Sequence, residues 1–472
     1  MRQASRTLLV ESPRDDRESS LSRHDDGTET TLCEFEARPK MPRMLVIFRQ
    51  NPDYHVALTR AAVELSKYFS VHIVCSNIGA PGFSWPAGIK IERVGLPVSF
   101  GSRRLWSRLA SIIDYFIFAW FVFSRIRSLS PDLVYAHDSE AFVAAGIVRR
   151  WLPFPLVYEN HDQLEPESCS RLSLRRWVEK KAFERGPSAS LVVYPAKERA
   201  DYYQKRSGDP RKPLVWPYYA SKKLVSLPSD CDRLMRARFA RRELLYTGVI
   251  NSDVASDEAL RALDLLGDNY HLTVYGAIRS EDLLHFQTYA QSLTLGDRIF
   301  HGGWINLAEM VERTINGAVG LVLFKPNSLN YRSMGTSTNK LYEYAARGIP
   351  VIVPDGPSFR EALENEDWVF FADVSDPASI ANGVRFFLED LDRYLTAGKA
   401  ARTAFEERFN FEAVFSRLLE RLMPLIHAES INSPSEKVNL NLKLASDEDQ
   451  LDGYGCLASA KARWRSAGRT NE

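Results

Sequence analysis

Short apolar runs alternate with helical stretches along most of the chain, and this alternation limits the possible folds more than any other feature. In the first half, the apolar runs end in polar residues, and segments such as "VALTRAAVELSKYF" with helical spacing separate them. Such runs are typical of a parallel sheet that is covered by helices on both faces. They lie at 44–48, 71–75, 132–138, 156–162 and 190–195.

The alternation stops in the segment "YYASKKLVSLPSDCDR" and then begins again, which indicates a linker between two similar halves. We therefore predict an α/β fold with two Rossmann-like doubly wound domains that face a central cleft. In such folds a ligand lies at the carboxyl ends of the strands. The predicted divisions are a disordered N-terminal extension (1–40), a first domain (41–222), a linker (223–240), a second domain (241–405), C-terminal helices that pack back across the domains (406–430) and a disordered tail (431–472).

Charge and cysteine content argue against several classes of protein. The 472 residues carry a formal net charge of +1 and no recognisable nucleic-acid motif, so we expect no nucleic-acid partner. The five cysteines are scattered and never form a CxxC pair, so neither a metal cage nor a disulfide framework is expected, and a reducing cytoplasm fits best. The N-terminal segment lacks the apolar run of a signal peptide, and Met41 is a candidate for the true start.

One long apolar segment, 105–128, raises the question of membrane contact. Its apolar core from Ile112 to Phe123 contains Asp114 and is shorter than the roughly 20 residues that span a bilayer. We interpret it as a buried amphipathic helix. The alternative is an interfacial helix, because arginines flank a body rich in Trp and Phe; together with the basic segment 171–185 it would then form a surface for anionic lipid.

The stretch "TSTNKLYEYAARGIPVIVPD", 336–355, predicts a short helix that runs directly into a buried strand. Thr336, Ser337 and Thr338 are candidate N-caps, and Gly348 with the proline after it ends the helix. The helix start offers unpaired N–H groups that suit a phosphate, and an anionic ligand would explain Lys340 in the first turn. Glu343 is then placed to accept hydrogen bonds from ribose hydroxyls. The alternative is a solvated surface helix with ordinary charges.

The segment "NKLYEYAARGIPVIV" resembles the "KLxEYxAxGxPVI" motif of the GT-B glycosyltransferases of group 1, glycosyltransferase family 4. The resemblance extends from about Met44 to Leu425. "LLYTGVI", "LTVYGAI", "IFHGGW" and "GLVLFKP" follow in the family's order, and "DLVYAHD" and "LVYENHD" resemble two strands of its first domain. It implies that the first domain takes the acceptor and the second takes the nucleotide-sugar donor.

Carried over by position, the resemblance implies roles for individual residues. Glu343 matches the second acid of the family's E-x7-E pattern, which holds the ribose, while Lys340 and the backbone around Asn339 and Leu341 face the diphosphate. Gly248 lets the backbone approach the phosphates. The segment from Gly302 to Ile305 lies near the nucleobase, on which Trp304 is a candidate for stacking, although a core position suits that side chain equally. His161 lies across the cleft, near the sugar and the developing charge, so His161 and Lys340 are the expected catalytic residues. The alternative for His161 is a structural one, in which it caps the next turn or bonds a backbone carbonyl.

The sequence also departs from the family pattern. Gly335 stands where the first acid of E-x7-E belongs, and "GVINSDVASDE" lacks the basic pair that normally follows Gly248. Lys325 or Arg332 are candidates to replace that charge. The loop "RQNPDYHV" after the first strand contains no glycine. We interpret His137 as structural rather than functional.

These observations predict a glycosyltransferase that uses a UDP-, GDP- or ADP-sugar and a glycan or lipid-linked acceptor, in surface polysaccharide or glycolipid synthesis. The resemblance implies retention of configuration and no obligatory metal; the nucleotide-sugar is a substrate, so no cofactor is expected. The expected location is the cytoplasm, and the protein is a candidate for peripheral attachment to the inner face of the membrane. The alternatives are a nucleotide-sugar epimerase of the same fold and a degenerate nucleotide-sugar-binding protein without catalysis.

Overall fold

The computed structural model describes residues 41–76, 82–94, 104–170, 173–224, 227 and 230–430. The predicted extension 1–40, the tail 431–472 and part of the predicted linker lie outside the described residues. Within that linker, residues from Cys231 onward form a helix, Cys231–Arg241.

The first half is a parallel sheet with helices between its strands. In the described part of this half, seven strands lie in the order β3-β2-β1-β4-β5-β6-β7. The apolar residues of the first two strands are almost fully buried, as expected for a sheet that is covered on both faces. The strands are β1 (Arg43–Phe48), β2 (Ser70–Ser76), β3 (Lys90–Val94), β4 (Leu133–His137), β5 (Leu156–Glu159), β6 (Leu191–Tyr194) and β7 (Leu214–Val215), and the helices are α1 (Val56–Leu65), α2 (Arg104–Leu129), α3 (Asp138–Val148), α4 (Leu174–Arg185) and α5 (Lys197–Ser207).

The second half repeats this architecture with a six-stranded parallel sheet in the order β10-β9-β8-β11-β12-β13. Its strands are β8 (Glu243–Thr247), β9 (His271–Tyr275), β10 (Ile299–His301), β11 (Val319–Leu321), β12 (Val351–Pro354) and β13 (Val369–Ala372). The helices are α6 (Cys231–Arg241), α7 (Ser256–Leu266), α8 (Ser280–Ser292), α9 (Leu307–Arg313), α10 (Leu329–Arg332), α11 (Asn339–Ala346), α12 (Pro357–Leu363), α13 (Pro377–Leu388), α14 (Leu391–Glu407) and α15 (Phe411–Ser430). Two doubly wound sheets confirm the predicted fold class.

The two halves meet along one side of the cleft. The last helix returns to the first half, where the Phe415 ring lies 6.2 Å from that of Tyr68 and Glu412 accepts a hydrogen bond from Ser221. On the cleft side, the Tyr54 ring of the first half lies 5.3 Å from the Trp304 ring of the second. The carboxyl ends of both sheets therefore face a common space.

Helix α2 corresponds to the predicted segment 105–128 but is buried on one side only. Asp114 and Phe118 are buried, whereas Phe116 and Trp120 on the opposite face are 66% and 71% exposed. The favoured interpretation of a buried helix is therefore wrong for this outer face. Within the described ranges, every helix is too short or too polar to cross a bilayer.

Candidate nucleotide-sugar site

The site begins at the N-terminus of α11, which directly precedes the buried strand β12. Thr338 occupies the N-cap position but makes no side-chain capping bond. The hydroxyls of Thr336 and Ser337 instead bond the carbonyls of Pro195 and Ser333. The predicted side-chain caps are therefore absent in this described segment, and the first N–H groups of α11 remain available to a ligand.

Lys340 extends from the first turn of α11 beneath the turn that follows β8. Its Nζ lies 4.0 Å from the ring centre of Tyr246 and 4.9 Å from that of Phe324. Gly248 has a φ of +130°, which favours glycine, and a Cβ atom at this position would lie 2.7 Å from the Lys340 Nζ and would displace that side chain. Burial lowers the pKa of Lys340 to about 7, although the negative charge of Glu343 opposes this shift.

Glu343 follows one turn later and is 4% exposed. Its carboxylate makes no hydrogen bond within the part of the chain that the structure describes. The cations Lys340, Arg347 and Arg60 lie close enough for Glu343 to raise their pKa values against the lowering effect of burial. A buried carboxylate with unused acceptor capacity is suited to bind hydroxyl groups of a ligand.

Glycines bring the backbone of the neighbouring strand ends close together. A Cβ on Gly276 would lie 1.8 Å from the carbonyl oxygen of Gly248, and the N–H of Gly276 donates to the carbonyl of Gly303 at 2.8 Å. Trp304, which follows, is 51% exposed and faces Tyr54 across the cleft. Trp304 is therefore not a core residue, and with the half-buried Ile305 it lies beside the cleft.

The two cations predicted to replace the missing basic pair both have acidic partners. Lys325 forms an ion pair of 3.0 Å with Glu258, and Arg332 lies 4.0 Å from Glu165. These contacts leave Lys340 as the cation that the structure places against Gly248.

Gly335, which replaces the first acid of the family pattern, lies against the start of α12. A Cβ at this position would lie 2.2 Å from the carbonyl oxygen of Ser358. The Gly335 N–H donates to the Ser358 hydroxyl at 3.1 Å, and the Tyr342 hydroxyl donates to the Gly335 carbonyl. A glutamate cannot occupy this backbone position without displacing α12.

His161 follows β5 and belongs to a buried hydrogen-bond network. Its Nε2 lies 2.8 Å from Nδ1 of His137, and its Nδ1 bonds the hydroxyl of Tyr218. The hydroxyls of Tyr218 and Tyr135 both donate to Glu159, at 3.0 and 2.5 Å. Burial raises the pKa of Glu159 to about 7 and holds the pKa of His161 well below its usual range.

The backbone of His161 is tied to both halves. Its N–H donates to Asp138 at 2.9 Å, and its carbonyl accepts from Arg199. Arg199 is 1% exposed and also donates to the hydroxyls of Ser333 and Ser337 in the second half, at 2.8 and 2.9 Å. One guanidinium therefore connects the end of β5 to the loop that leads into α11.

Three of these residues have side chains of a type that binds metals. Ligand atoms of His137, Glu159 and His161 all lie within 4.8 Å of one another. However, two nitrogens on a tetrahedral zinc ion would be about 3.3 Å apart, whereas these are 2.8 Å apart and hydrogen-bonded. We therefore assign the three side chains to a hydrogen-bond network.

Several cleft residues were not predicted from the sequence. Arg199, Tyr218 and His55 carry no motif, and the interpretation of His137 as structural did not include its bond to His161. The one available signal was that His137 ends a predicted strand and His55 lies in the loop after another, because ligands bind beyond the strand ends in doubly wound folds.

Comparisons with known proteins agree with the two-domain fold. A family model described as a glycosyl transferase 4-like domain matches residues 54–218, and one described as glycosyl transferase-like matches residues 256–420. A search of the curated proteins found no match.

Solved structures resemble both halves at once. Sucrose-phosphate synthase from Thermosynechococcus elongatus matches with a TM-score of 0.64 and 14% identity, over 82% of this chain and 100% of that one. HepE from Anabaena in complex with UDP matches with a TM-score of 0.60 and 18% identity, over 81% and 100%. A putative UDP-N-acetylglucosamine 2-epimerase from Listeria monocytogenes matches with a TM-score of 0.51 and 12% identity, over 80% and 95%.

At these identities the solved structures establish the fold, while the two family models match residues 54–218 in the first half and 256–420 in the second. The paired domains agree with both. The chain belongs to the GT-B glycosyltransferases of group 1.

Proposed function

We propose that this protein transfers a sugar from a nucleoside diphosphate to a glycan or a lipid-linked acceptor, with retention of configuration, in surface polysaccharide or glycolipid synthesis. The observation that carries the proposal is the arrangement of Lys340, Gly248 and Glu343. A half-buried ammonium lies beneath a glycine turn, at an uncapped helix N-terminus, one helical turn before a buried carboxylate.

The mechanism follows from where charge develops. As the bond between the anomeric carbon and the phosphate breaks, negative charge collects on the leaving diphosphate. The N–H groups of α11 and the ammonium of Lys340 stabilise that charge, and Asn339 and Leu341 contribute backbone donors. We assign this stabilisation to the protein's own groups, so that transfer proceeds without an obligatory metal. Glu343 holds the ribose and Trp304 stacks on the base.

The donor proposal is supported by ligands in related structures. HepE from Anabaena has been solved with UDP, with UDP and glucose, and with UDP-glucose, and a related E. coli structure holds UDP-2-fluoro glucose. We therefore place UDP-sugars before GDP- and ADP-sugars as candidates.

A test of this function is the release of nucleoside diphosphate from UDP-glucose, GDP-mannose and ADP-glucose, with and without a membrane lipid extract as acceptor. We expect one of the donors to release its nucleoside diphosphate, and to release it faster when the acceptor is present. The reaction should continue in the presence of EDTA. NMR of the product should show that the anomeric configuration of the donor is retained. Formation of a new nucleotide-sugar without release would identify an epimerase. Binding without either reaction would identify the non-catalytic alternative.

We also propose that the first domain attaches to an anionic membrane, which would present a lipid-linked acceptor at the inner face. The groove formed by α2, α3 and α4 has a volume of about 1140 Å³. Trp120, Trp151 and Trp177, which line it, are 71%, 67% and 45% exposed. Arg127, Arg176 and Lys180 also line the groove. Exposed aromatics beside cations are typical of a surface that lies in the headgroup region.

Vesicle co-sedimentation tests this attachment. We expect binding to vesicles that contain anionic lipid and little binding to purely zwitterionic vesicles. Changing Trp120 and Trp177 to serine should abolish binding, whereas Phe300→Ser, which alters a 53% exposed aromatic in the second half, should not. Equal binding by both variants would contradict the assignment of this face.

A further inference from the structure

His55 lies at the cleft, at the carboxyl end of β1. A short 3-10 helix, Pro52–Tyr54, precedes it and is held in place through Asp53. Asp53 accepts hydrogen bonds from the Trp85 ring at 2.8 Å and from one guanidinium nitrogen of Arg93, which reaches its two carboxylate oxygens at 2.7 and 2.8 Å. Because the neighbouring Tyr54 contacts Trp304 of the second half, this loop lies where the two domains face each other.

The hydrogen bonds of His55 determine where its ring proton lies. Its Nδ1 accepts a hydrogen bond of 3.3 Å from the N–H of Leu58 and so caps α1. A neutral imidazole with an accepting Nδ1 carries its proton on Nε2. Burial lowers the pKa of His55, which favours this neutral form. Nε2 has no protein partner among the residues that the structure describes, and the side chain is only half-buried.

The neighbouring histidine cannot offer such a donor. The rings of His55 and His161 lie 4.0 Å apart, but both nitrogens of His161 are already bonded, to Tyr218 and to His137. A ligand can bind a ring nitrogen of His161 only if one of these buried hydrogen bonds breaks, which is costly.

We propose that His55, through its Nε2–H, is the histidine that binds the donor, and that its hydrogen bond is made to a hydroxyl of the transferred sugar. The inference rests on the proposed function, because it places the nucleotide on the second half and the sugar toward the first. His55 is thus a donor-binding residue, and the tilted ring of His161, 4.0 Å away, packs against it.

Modification with diethyl pyrocarbonate, which acylates accessible neutral imidazoles, tests the proposal on the full chain. We expect peptide mapping to show rapid modification of His55 and none of His161. UDP-glucose should protect His55, while the exposed His271 in the second half should react equally with and without ligand. Reaction of His161 as fast as that of His55 would overturn the assignment, as would unprotected His55 in protein that calorimetry shows to be saturated with donor.

The variant His55→Asn separates the ligand contact from the structural role. Asparagine preserves the helix cap but removes the imidazole, so thermal stability should change little. The loss of one hydrogen bond should weaken UDP-glucose binding about 5- to 15-fold and leave UDP binding within about twofold. Equal weakening of both ligands would contradict a contact to the sugar. Absence of nucleotide binding by the wild-type protein would instead overturn the proposed function, and the labelling of the free protein would still decide between the two histidines.

Discussion

The depressed pKa of Lys340 predicts that donor binding depends on pH in a specific way. In the free protein this pKa is about 7, because burial between Tyr246 and Phe324 disfavours the ammonium. A bound diphosphate favours the ammonium and raises the pKa. Binding therefore takes up a proton at any pH between the free and bound values.

The sign and size of the effect follow from this shift. Full affinity is present below pH 7, where Lys340 is already protonated. Above pH 7, affinity falls about tenfold per pH unit, or about 1.4 kcal/mol, until the bound pKa is reached. Between pH 6 and pH 9 the expected loss for UDP-glucose is about a hundredfold. UDP-glucose is the suitable probe because its diphosphate does not titrate in this range.

Calorimetry at pH 6, 7, 8 and 9, in two buffers that differ in ionisation enthalpy, measures both affinity and proton uptake. We expect uptake close to one proton per ligand at pH 8 and above. The matched variant Lys340→Arg keeps a cation that does not titrate, so its affinity for UDP-glucose should vary little with pH. Any change of affinity with pH that remains in this variant reports other groups such as Glu159. Constant affinity of the wild-type protein between pH 7 and pH 9 would refute the reasoning.

Three further substitutions test the packing of the site. Gly335→Glu restores the family's first acid, but its Cβ would lie 2.2 Å from the Ser358 carbonyl oxygen. Urea denaturation should therefore show a free energy of unfolding that is lower by about 1–3 kcal/mol or more. An unchanged free energy of unfolding would contradict this close approach. Gly248→Ala should displace Lys340 and weaken UDP binding about tenfold or more in calorimetry; wild-type affinity would mean that the ammonium is not needed there. Arg199→Met should destabilise the protein by about 3–5 kcal/mol in the same urea assay, because it leaves buried acceptors in both halves without a donor; a loss below about 1 kcal/mol would contradict its bridging role.

The fold and the neighbouring residues at the start of α11 could be predicted because both depend on local patterns. Apolar runs with polar ends define strands, and the strand ends of a doubly wound sheet define a cleft. Lys340 and Glu343 are separated by one helical turn, so the sequence alone places them on the same face of α11. The proximity of Lys340 to Gly248 followed from the family resemblance.

The remaining features depend on contacts between distant segments. Nothing near Gly335 in the sequence indicates Ser358, and nothing near Lys325 indicates its partner Glu258. The sequence did not predict that the apolar outer face of α2 is exposed. The apolar residues of a segment indicate burial, but they do not show whether a second layer of the protein covers both faces of the helix.

The histidines illustrate the same limit. His137 and His161 each follow a separate strand, and only the sheet order brings them within 2.8 Å. Tyr218 follows the last strand of the first sheet. It bonds Glu159 and His161 only because the folded chain brings this distant segment next to the end of β5.

The central claim is that a nucleoside diphosphate binds between Lys340 and Glu343. Titration calorimetry with UDP, GDP, ADP and glucose 1-phosphate, on the wild-type protein and on Glu343→Gln, tests it most directly. The exposed residue Glu364 in the same domain provides the control variant Glu364→Gln. We expect saturable binding of one nucleoside diphosphate, about 10- to 100-fold weaker in Glu343→Gln and unchanged in Glu364→Gln. No binding to any nucleotide by the folded wild-type protein, or equal affinity in Glu343→Gln, would contradict the account.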